Sequence, residues 1–177
     1  MAAAQPRRKI GGAQIAAKAS AREAHELLAR AYAAKHQLDE AARNVELAMA
    51  EGHHQPSTIL LLAALQRDRG ELYAALQTIA DAERRGAELH LANVAGADEL
   101  RGDILARLDR PDEAVVAYRR EIASSPQHLQ SYAHLAVIYR IEGKRAEAEK
   151  TLEAMVRNNP HSGARSLAAK TRAALGL

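Results

Sequence analysis

The chain has 177 residues, of which 47% are hydrophobic, so it can bury the core of one ordinary domain and is not disordered throughout. It has no Cys, which excludes disulfides, thiol nucleophiles and cysteine-based metal sites. The net charge of +3 is unevenly distributed, because residues 1–22 carry five basic and no acidic side chains. The remainder has 20 basic and 22 acidic residues. This slight acidic excess argues against nucleic-acid binding by the folded body.

The composition favours helix along almost the whole chain. Alanine is abundant, Trp and Phe are absent, and Gly and Pro are few. No apolar run approaches the roughly 20 residues that cross a bilayer, and the first residues lack the apolar centre of a secretory signal. We therefore expect an all-α, soluble protein of the cytoplasm, with the periplasm as the alternative, because a cysteine-free chain suits both compartments.

Residues 1–21 form a basic segment at the start of the chain. We expect a flexible arm here. The spacing of Ile15 and Ala19 leaves a second interpretation open, in which this segment adds a helix that packs on the first repeat.

A 34-residue period runs through the centre of the chain. When Pro126 and Pro160 share one column, the aligned pairs are Ala114 with Ala148, Tyr118 with Leu152, Gly102 with Ala136, and Leu105 with Tyr139. The period defines four units, 22–55, 56–89, 95–128 and 129–162, each predicted to be a pair of antiparallel helices.

The third unit departs from the pattern of the others. Five extra residues, 90–94, precede it and predict a longer loop or a lengthened helix. Asp98 and Arg101 occupy columns where apolar residues are expected, but Leu100, Ile104 and Leu108 still form an apolar stripe. We therefore expect its first helix to be rotated or restarted.

Residues 163–177 are predicted to form a helix that caps the last unit. One side of this helix is mainly apolar and consists of Ala164, Leu167, Ala168, Thr171, Ala174 and Leu175. The basic side chains Arg165, Lys170 and Arg172 would face water.

The fourth unit carries the most complete sequence pattern. Its characteristic residues are Tyr132, Leu135, Ala136, Tyr139, Ala148, Leu152 and Pro160. This pattern resembles the tetratricopeptide repeat. The resemblance covers residues 22–162 and implies a right-handed superhelical solenoid, in which small residues let helices approach closely and large ones fill the space between them.

The resemblance also implies a concave groove lined by the first helix of each pair. Helical spacing directs one face of these helices into the groove, and the residues expected there are Glu26, Arg30, Leu60, Leu61, Ala64, Arg67, Glu99, Asp103, His134, Val137 and Arg140. Leu60 and Leu61 indicate apolar contact with a partner, although they could instead support packing of a slightly rotated helix. Arg30, Arg67 and Arg140 would pair with acidic groups on that partner.

The sequence contains no motif for catalysis or cofactor binding. A nucleophile elbow, a phosphate-binding loop and a dinucleotide fingerprint are all missing. His53 and His54 are adjacent in an inter-repeat turn, but no third ligand lies near them in sequence. We expect no enzymatic activity, no cofactor and no metal site.

These observations leave three functions open. The leading one is a non-catalytic interaction or scaffold module that binds a peptide, helix or partner domain in its groove. The second is an accessory region or subunit of a larger bacterial enzyme, since the C-terminal half resembles the tetratricopeptide tails of some multidomain proteins, including sulfatase-like ones. The third is a self-associating structural protein, that is, a homo-oligomer.

Overall fold

The computed structural model describes residues 7–50 and 55–177, with side chains described from Ser20 onward. Within these ranges it contains nine α-helices and no strand, which confirms the predicted all-α class. The helices are α1 (Arg7–Ala34), α2 (Leu38–Met49), α3 (Pro56–Asp68), α4 (Leu72–Glu88), α5 (Ala97–Arg107), α6 (Pro111–Ser124), α7 (Leu129–Ile141), α8 (Arg145–Asn158) and α9 (Ser162–Leu175). Among the described residues, no helix is both long enough and apolar enough to span a bilayer.

Successive helices pack as pairs that stack on one another. Helix α1 packs on α2, α3 on α4, α5 on α6 and α7 on α8, and the second helix of each pair also contacts the first helix of the next. Each element therefore depends mainly on its neighbours in the chain, as in a solenoid. The predicted solenoid of helix pairs is confirmed.

The turn inside every pair uses the same backbone conformation. The left-handed residues are His36 (φ 57°), Gly70 (φ 81°), Asp109 (φ 57°) and Gly143 (φ 74°), one at the equivalent position of each unit. In each case the next backbone N–H donates to a carbonyl five residues earlier, as Lys144 does to Tyr139 at 2.8 Å. This bond closes the helix end and requires a left-handed residue, a conformation that Gly adopts freely and that His and Asp tolerate.

Helix α1 is longer than a repeat helix requires, because it begins at Arg7. The backbone of residues 7–21 is thus helical and continues directly into the first helix of the first unit. Alanine is frequent in this segment and has the highest intrinsic helix propensity. Residues 1–6 lie outside the described residues.

The extra residues 90–94 before the third unit lie in a loop, and the helix that precedes this loop is longer than the other second helices. Helix α4 continues for 17 residues to Glu88, and residues 89–96 then connect it to α5. This loop folds back onto α4 at Gly86, where an added Cβ would lie 2.6 Å from Val94 Cγ2. Gly96, with φ 81°, is the N-cap residue that precedes α5, and α5 has only 11 residues.

The polar residues at apolar columns of α5 are paired. Arg101 donates to Glu83 of α4 at 2.6 Å and also to Asp98 on its own helix. Burial lowers the pKa of the Arg101 guanidinium, but the hydrogen bonds and charges of Glu83 and Asp98 more than offset this and raise it. The apolar stripe on the same helix is intact, since Leu100 and Ile104 are buried.

In the described part of the chain, the core consists of three clusters along the stack. The largest lies between α6, α7, α8 and α9 and contains Tyr118, Tyr132, Tyr139, Leu152 and Met155. A second joins α3, α4 and α5, and a third joins α1, α2 and α3. Helix α9 covers the end of the largest cluster with Ala164 and Ala168, both fully buried.

Candidate functional site

The residues expected to line the groove lie on the first helices of the four pairs. Helix α1 carries Glu26 and Arg30, and α5 carries Glu99 and Asp103. The remaining residues lie on α3 (Leu60, Leu61, Ala64 and Arg67) and on α7 (His134, Val137 and Arg140). Arg30 is exposed, whereas Leu60 is only 9% exposed and belongs to the second core cluster. The others are partly exposed, namely Glu26, Leu61, Ala64, Arg67, Glu99, Asp103, His134, Val137 and Arg140.

At the first junction, between α1 and α3, Glu26 accepts a hydrogen bond from the hydroxyl of Thr58. Thr58 is 1% exposed, so this bond satisfies a buried polar group. Arg22 Nε lies 3.8 Å from Glu26 Oε1 on the same helix. The Glu26 carboxylate therefore helps to hold two successive first helices together.

At the second junction, between α3 and α5, Arg67 forms an ion pair with Asp103 at 3.0 Å. Arg67 also lies 2.8 Å from Asp68, and Arg107 lies 3.3 Å from Asp103. The charges of Arg67 and Asp103 are thus largely compensated within the protein.

At the third junction, between α5 and α7, Glu99 faces His134, with Oε1 and Nδ1 3.8 Å apart. Burial raises the pKa of the Glu99 carboxyl above its ordinary value, and the positive charge of protonated His134 only partly opposes this. The His134 ring also contacts Tyr118 of α6, with centroids 5.4 Å apart. Burial, followed by the charges of Asp103 and Glu99, raises the pKa of the Tyr118 hydroxyl.

At the last junction, between α7 and α9, Arg140 donates through Nε to the Leu175 carbonyl at 2.9 Å. This bond satisfies a carbonyl in the last turn of the capping helix. Of the three arginines predicted to pair with a partner, Arg67 and Arg140 thus bind within the protein. Arg30 makes no ion pair with any described residue.

Two features of the site were not predicted from the sequence. One is the set of polar contacts between successive first helices, which join residues 32 to 36 positions apart. The other is the fit of Tyr118 against Gly102, where an added Cβ would lie 2.7 Å from the ring. The repeat alignment contained a signal for the fit of Tyr118 against Gly102. In the same two columns the next unit has Ala136 and Leu152, so a larger residue faces Gly and a smaller one faces Ala.

The described part of the chain contains no group of three His, Asp or Glu side chains arranged to hold a metal ion. His53 and His54, which we considered as metal ligands in the sequence, lie outside the described residues.

Solved structures with the same architecture have low sequence identity to the chain. A Thermus thermophilus protein, TTC0263, is 18% identical with a TM-score of 0.68, over 88% of this chain and 83% of that one. MamA is 18% identical with a TM-score of 0.62, over 78% of both chains. YrrB, described as a tetratricopeptide repeat protein with an unusual peptide-binding site, is 20% identical with a TM-score of 0.60, over 87% of this chain and 75% of that one. At this identity the likeness establishes the fold alone.

Family models give a more specific result. No curated protein sequence matches the chain significantly. A model of the tetratricopeptide repeat matches residues 129–162, the predicted fourth unit. A model of the tetratricopeptide repeat-like domain matches residues 12–139, well over half of the chain. The chain therefore belongs to the tetratricopeptide repeat-like family.

Proposed function

We propose that this protein binds a peptide or helix of a partner protein in the N-terminal half of its concave groove. The fold supports a role as a protein-interaction scaffold, and proteins of this family are generally non-catalytic interaction modules. Peptide binding by YrrB is a property of that protein, and it supplies a precedent for the fold.

The observation that carries the proposal is a pair of leucines at equivalent positions of successive first helices. Leu27 on α1 is 69% exposed, and Leu61, one repeat later on α3, is partly exposed. Ala64 of α3 is also partly exposed. An apolar side chain of a partner would remove this surface from water at about 25 cal/mol per Å² of apolar area buried.

The charges around the groove favour an acidic group beside that apolar anchor. Arg30 lies one turn beyond Leu27 on α1 and is exposed. By contrast, Arg67 and Asp103 already pair with each other farther along the groove. The expected ligand is therefore an amphipathic peptide with an apolar residue followed by Asp or Glu.

The test is affinity capture from the native lysate with mass spectrometry, using the full chain and three folded variants. Leu27→Glu and Leu61→Glu place a charge in the apolar strip. Leu47→Glu is the matched control, because Leu47 is 55% exposed on the second helix α2, outside the groove positions. We expect a protein that the wild type and Leu47→Glu retain and both groove variants lose. Equal retention by all four chains would contradict groove binding.

Self-association is a second candidate that the exposed leucines support. Leu27, Leu28 and Leu47 are 69%, 46% and 55% exposed, and all three lie on the first helix pair. Two copies that met through this pair would cover them. Light scattering of the wild type should then give a dimer, and Leu28→Glu should convert it to a monomer. A wild type that is monomeric at about 100 μM would contradict this candidate, because any association would then be weaker than roughly 5 kcal/mol.

A further inference from the structure

Most charged residues of the concave groove bind to another part of the protein. Glu26 accepts a hydrogen bond from a buried threonine on the next first helix. Arg67 forms an ion pair with Asp103, and Arg140 donates to a carbonyl of the capping helix. These four side chains hold successive helices together, and their charges are largely compensated within the protein.

Two groove charges of opposite sign lack such a partner among the described residues. Arg30 on α1 is exposed and makes no hydrogen bond or ion pair with them. Glu99 on α5 accepts no hydrogen bond from them, and its ion pair with His134 is 3.8 Å long. The imidazole compensates this carboxylate only when it is protonated. The groove therefore has an unpaired cation on its first helix and a weakly compensated carboxylate on α5.

A buried hydroxyl group lies beside the same carboxylate. Tyr118 is 1% exposed, and its ring packs on Gly102 of α5, one turn from Glu99. Its hydroxyl makes no hydrogen bond with any described residue. Burial and then the negative charges of Asp103 and Glu99 raise the pKa of this hydroxyl, so it keeps its proton and lies near both carboxylates. Buried tyrosine hydroxyls usually have a hydrogen-bond partner, so this one is an unused polar group next to Glu99.

The surroundings of Glu99 suit a positively charged group. Burial is the main cause of the raised pKa of the Glu99 carboxyl, with the charge of His134 lowering the pKa and that of Asp103 raising it. A cation beside the carboxylate would offset the cost of burying it. An ammonium group can donate to a carboxylate and to a hydroxyl oxygen together. The Glu99 side chain is 25% exposed, so a ligand in the groove can reach it.

The order of the helices along the groove sets the distance between the two charges. Arg30 lies on α1 and Glu99 on α5, and α3, which carries Leu61, contacts both helices. Packed helices are about 10 Å apart, so about 20 Å separates α1 from α5. An extended peptide spans that distance with about six residues, at roughly 3.3 Å per residue.

We propose that the peptide bound in the groove carries a Lys or Arg residue whose charged group binds to Glu99 and the Tyr118 hydroxyl. This basic residue precedes the acidic residue at Arg30 by about six positions, and the apolar anchor lies between them. The inference rests on the groove binding proposed above and adds a basic end to that ligand. Reversing the order of the peptide would bring like charges together at both ends.

The test is titration of the full ¹⁵N-labelled chain with three capped peptides, followed by amide NMR. Acetyl-KSSLSSD-amide has the proposed order, acetyl-DSSLSSK-amide has the same composition in reverse, and acetyl-SSSLSSD-amide lacks the base. We expect the first peptide to bind about three- to fivefold more tightly than the third and at least about tenfold more tightly than the second.

The outcomes separate this inference from groove binding itself. If the first and third peptides bind with equal affinity, or the first and second do, the basic end is wrong and groove binding stands. If none of the three gives a saturable shift up to about 5 mM, groove binding is contradicted, and this inference falls with it.

Matched variants locate the basic end at Glu99. Glu99→Gln removes the charge at nearly constant shape and should abolish the advantage of KSSLSSD over SSSLSSD. Glu153→Gln makes the same change of net charge at an exposed position of α8 and should preserve that advantage. Loss of the advantage in both variants would show diffuse electrostatics and overturn the assignment.

A second variant covers the case in which Glu99→Gln does not fold. Tyr118→Phe removes only the hydroxyl group, which makes no hydrogen bond with a described residue. It should reduce the advantage of KSSLSSD by about twofold and leave the affinity for SSSLSSD unchanged. A purely structural role of Tyr118 would alter both affinities equally, and an unchanged advantage would overturn the proposal.

Discussion

The two ends of the solenoid follow the same 34-residue pattern but bury very different side chains. Around the fourth pair, the core holds Tyr118, Tyr132, Tyr139, Leu152 and Met155, each at most 5% exposed, and α9 covers it. Around the first pair, the core cluster among the described residues consists of Ala29, Ala41, Val45 and Leu65, and it contains no buried aromatic residue. At the same end, Leu27 and Leu28 remain exposed.

The difference separates two requirements of a repeat. Both ends have small residues where helices approach and a left-handed residue in the turn, so both adopt the same fold. Only the C-terminal end also buries aromatic side chains between its helices. Because the stability of a stack is roughly the sum of local terms, the first pair should unfold more readily than the rest. The surface proposed for partner binding lies on this less stable end.

The largest expected effect comes from making the same truncation in both cores. Leu152→Ala and Leu65→Ala each remove a side chain that is at most 1% exposed. Leu152→Ala should cost about 4 kcal/mol of unfolding free energy, and Leu65→Ala about 2, since the thinner core around Leu65 can relax into the space. Urea unfolding followed by circular dichroism measures both. An equal or larger cost for Leu65→Ala would contradict the inequality of the two ends.

A smaller effect on the unfolding free energy is expected from Gly102→Ala, at a position where the third unit has Gly and the fourth has Ala. Gly102→Ala places a Cβ 2.7 to 2.9 Å from the Tyr118 ring and should cost about 1–3 kcal/mol through overpacking. The fourth unit has Ala136 and Leu152 in the matching columns, so Tyr118→Leu should make room for the added methyl group.

The double variant tests this explanation directly. Gly102→Ala should cost less in the Tyr118→Leu background than in the wild type, by about 1 kcal/mol or more. Urea unfolding of all four chains gives this coupling. Additive effects would show that the cost of Gly102→Ala comes from somewhere other than the Tyr118 ring.

The smallest effect concerns the charge at the junction between α5 and α7. The pKa of the Glu99 carboxyl is raised above its ordinary value of 4.5, mainly by burial, so the native state holds that proton more tightly than the unfolded state. Its contribution to stability is present below the unfolded pKa and is lost as the pH rises through the folded pKa. Glu99→Gln should therefore show a smaller fall in unfolding free energy than the wild type as the pH is raised from about 4 to 7.

The control for this prediction is Glu153→Gln, which removes an exposed carboxylate on α8. Its dependence of unfolding free energy on pH should match that of the wild type. If Glu99→Gln also matched the wild type, burial would not dominate the titration of Glu99.

The sequence by itself determined the architecture, because its causes are local and repeated. Helix propensity, the 34-residue spacing of small and large residues, and the turn position shared by Gly70 and Gly143 fix helix pairs and their stacking. The break in the 34-residue spacing also predicted that the third unit is irregular. In the structure, a longer α4 and the 89–96 loop precede that unit.

Tertiary structure alone decided what the polar side chains do. Arg67 and Asp103 are 36 residues apart, and Arg140 and Leu175 are 35 apart, so no helical spacing predicts that they meet. These contacts depend on the lateral offset between successive first helices, which side-chain packing sets.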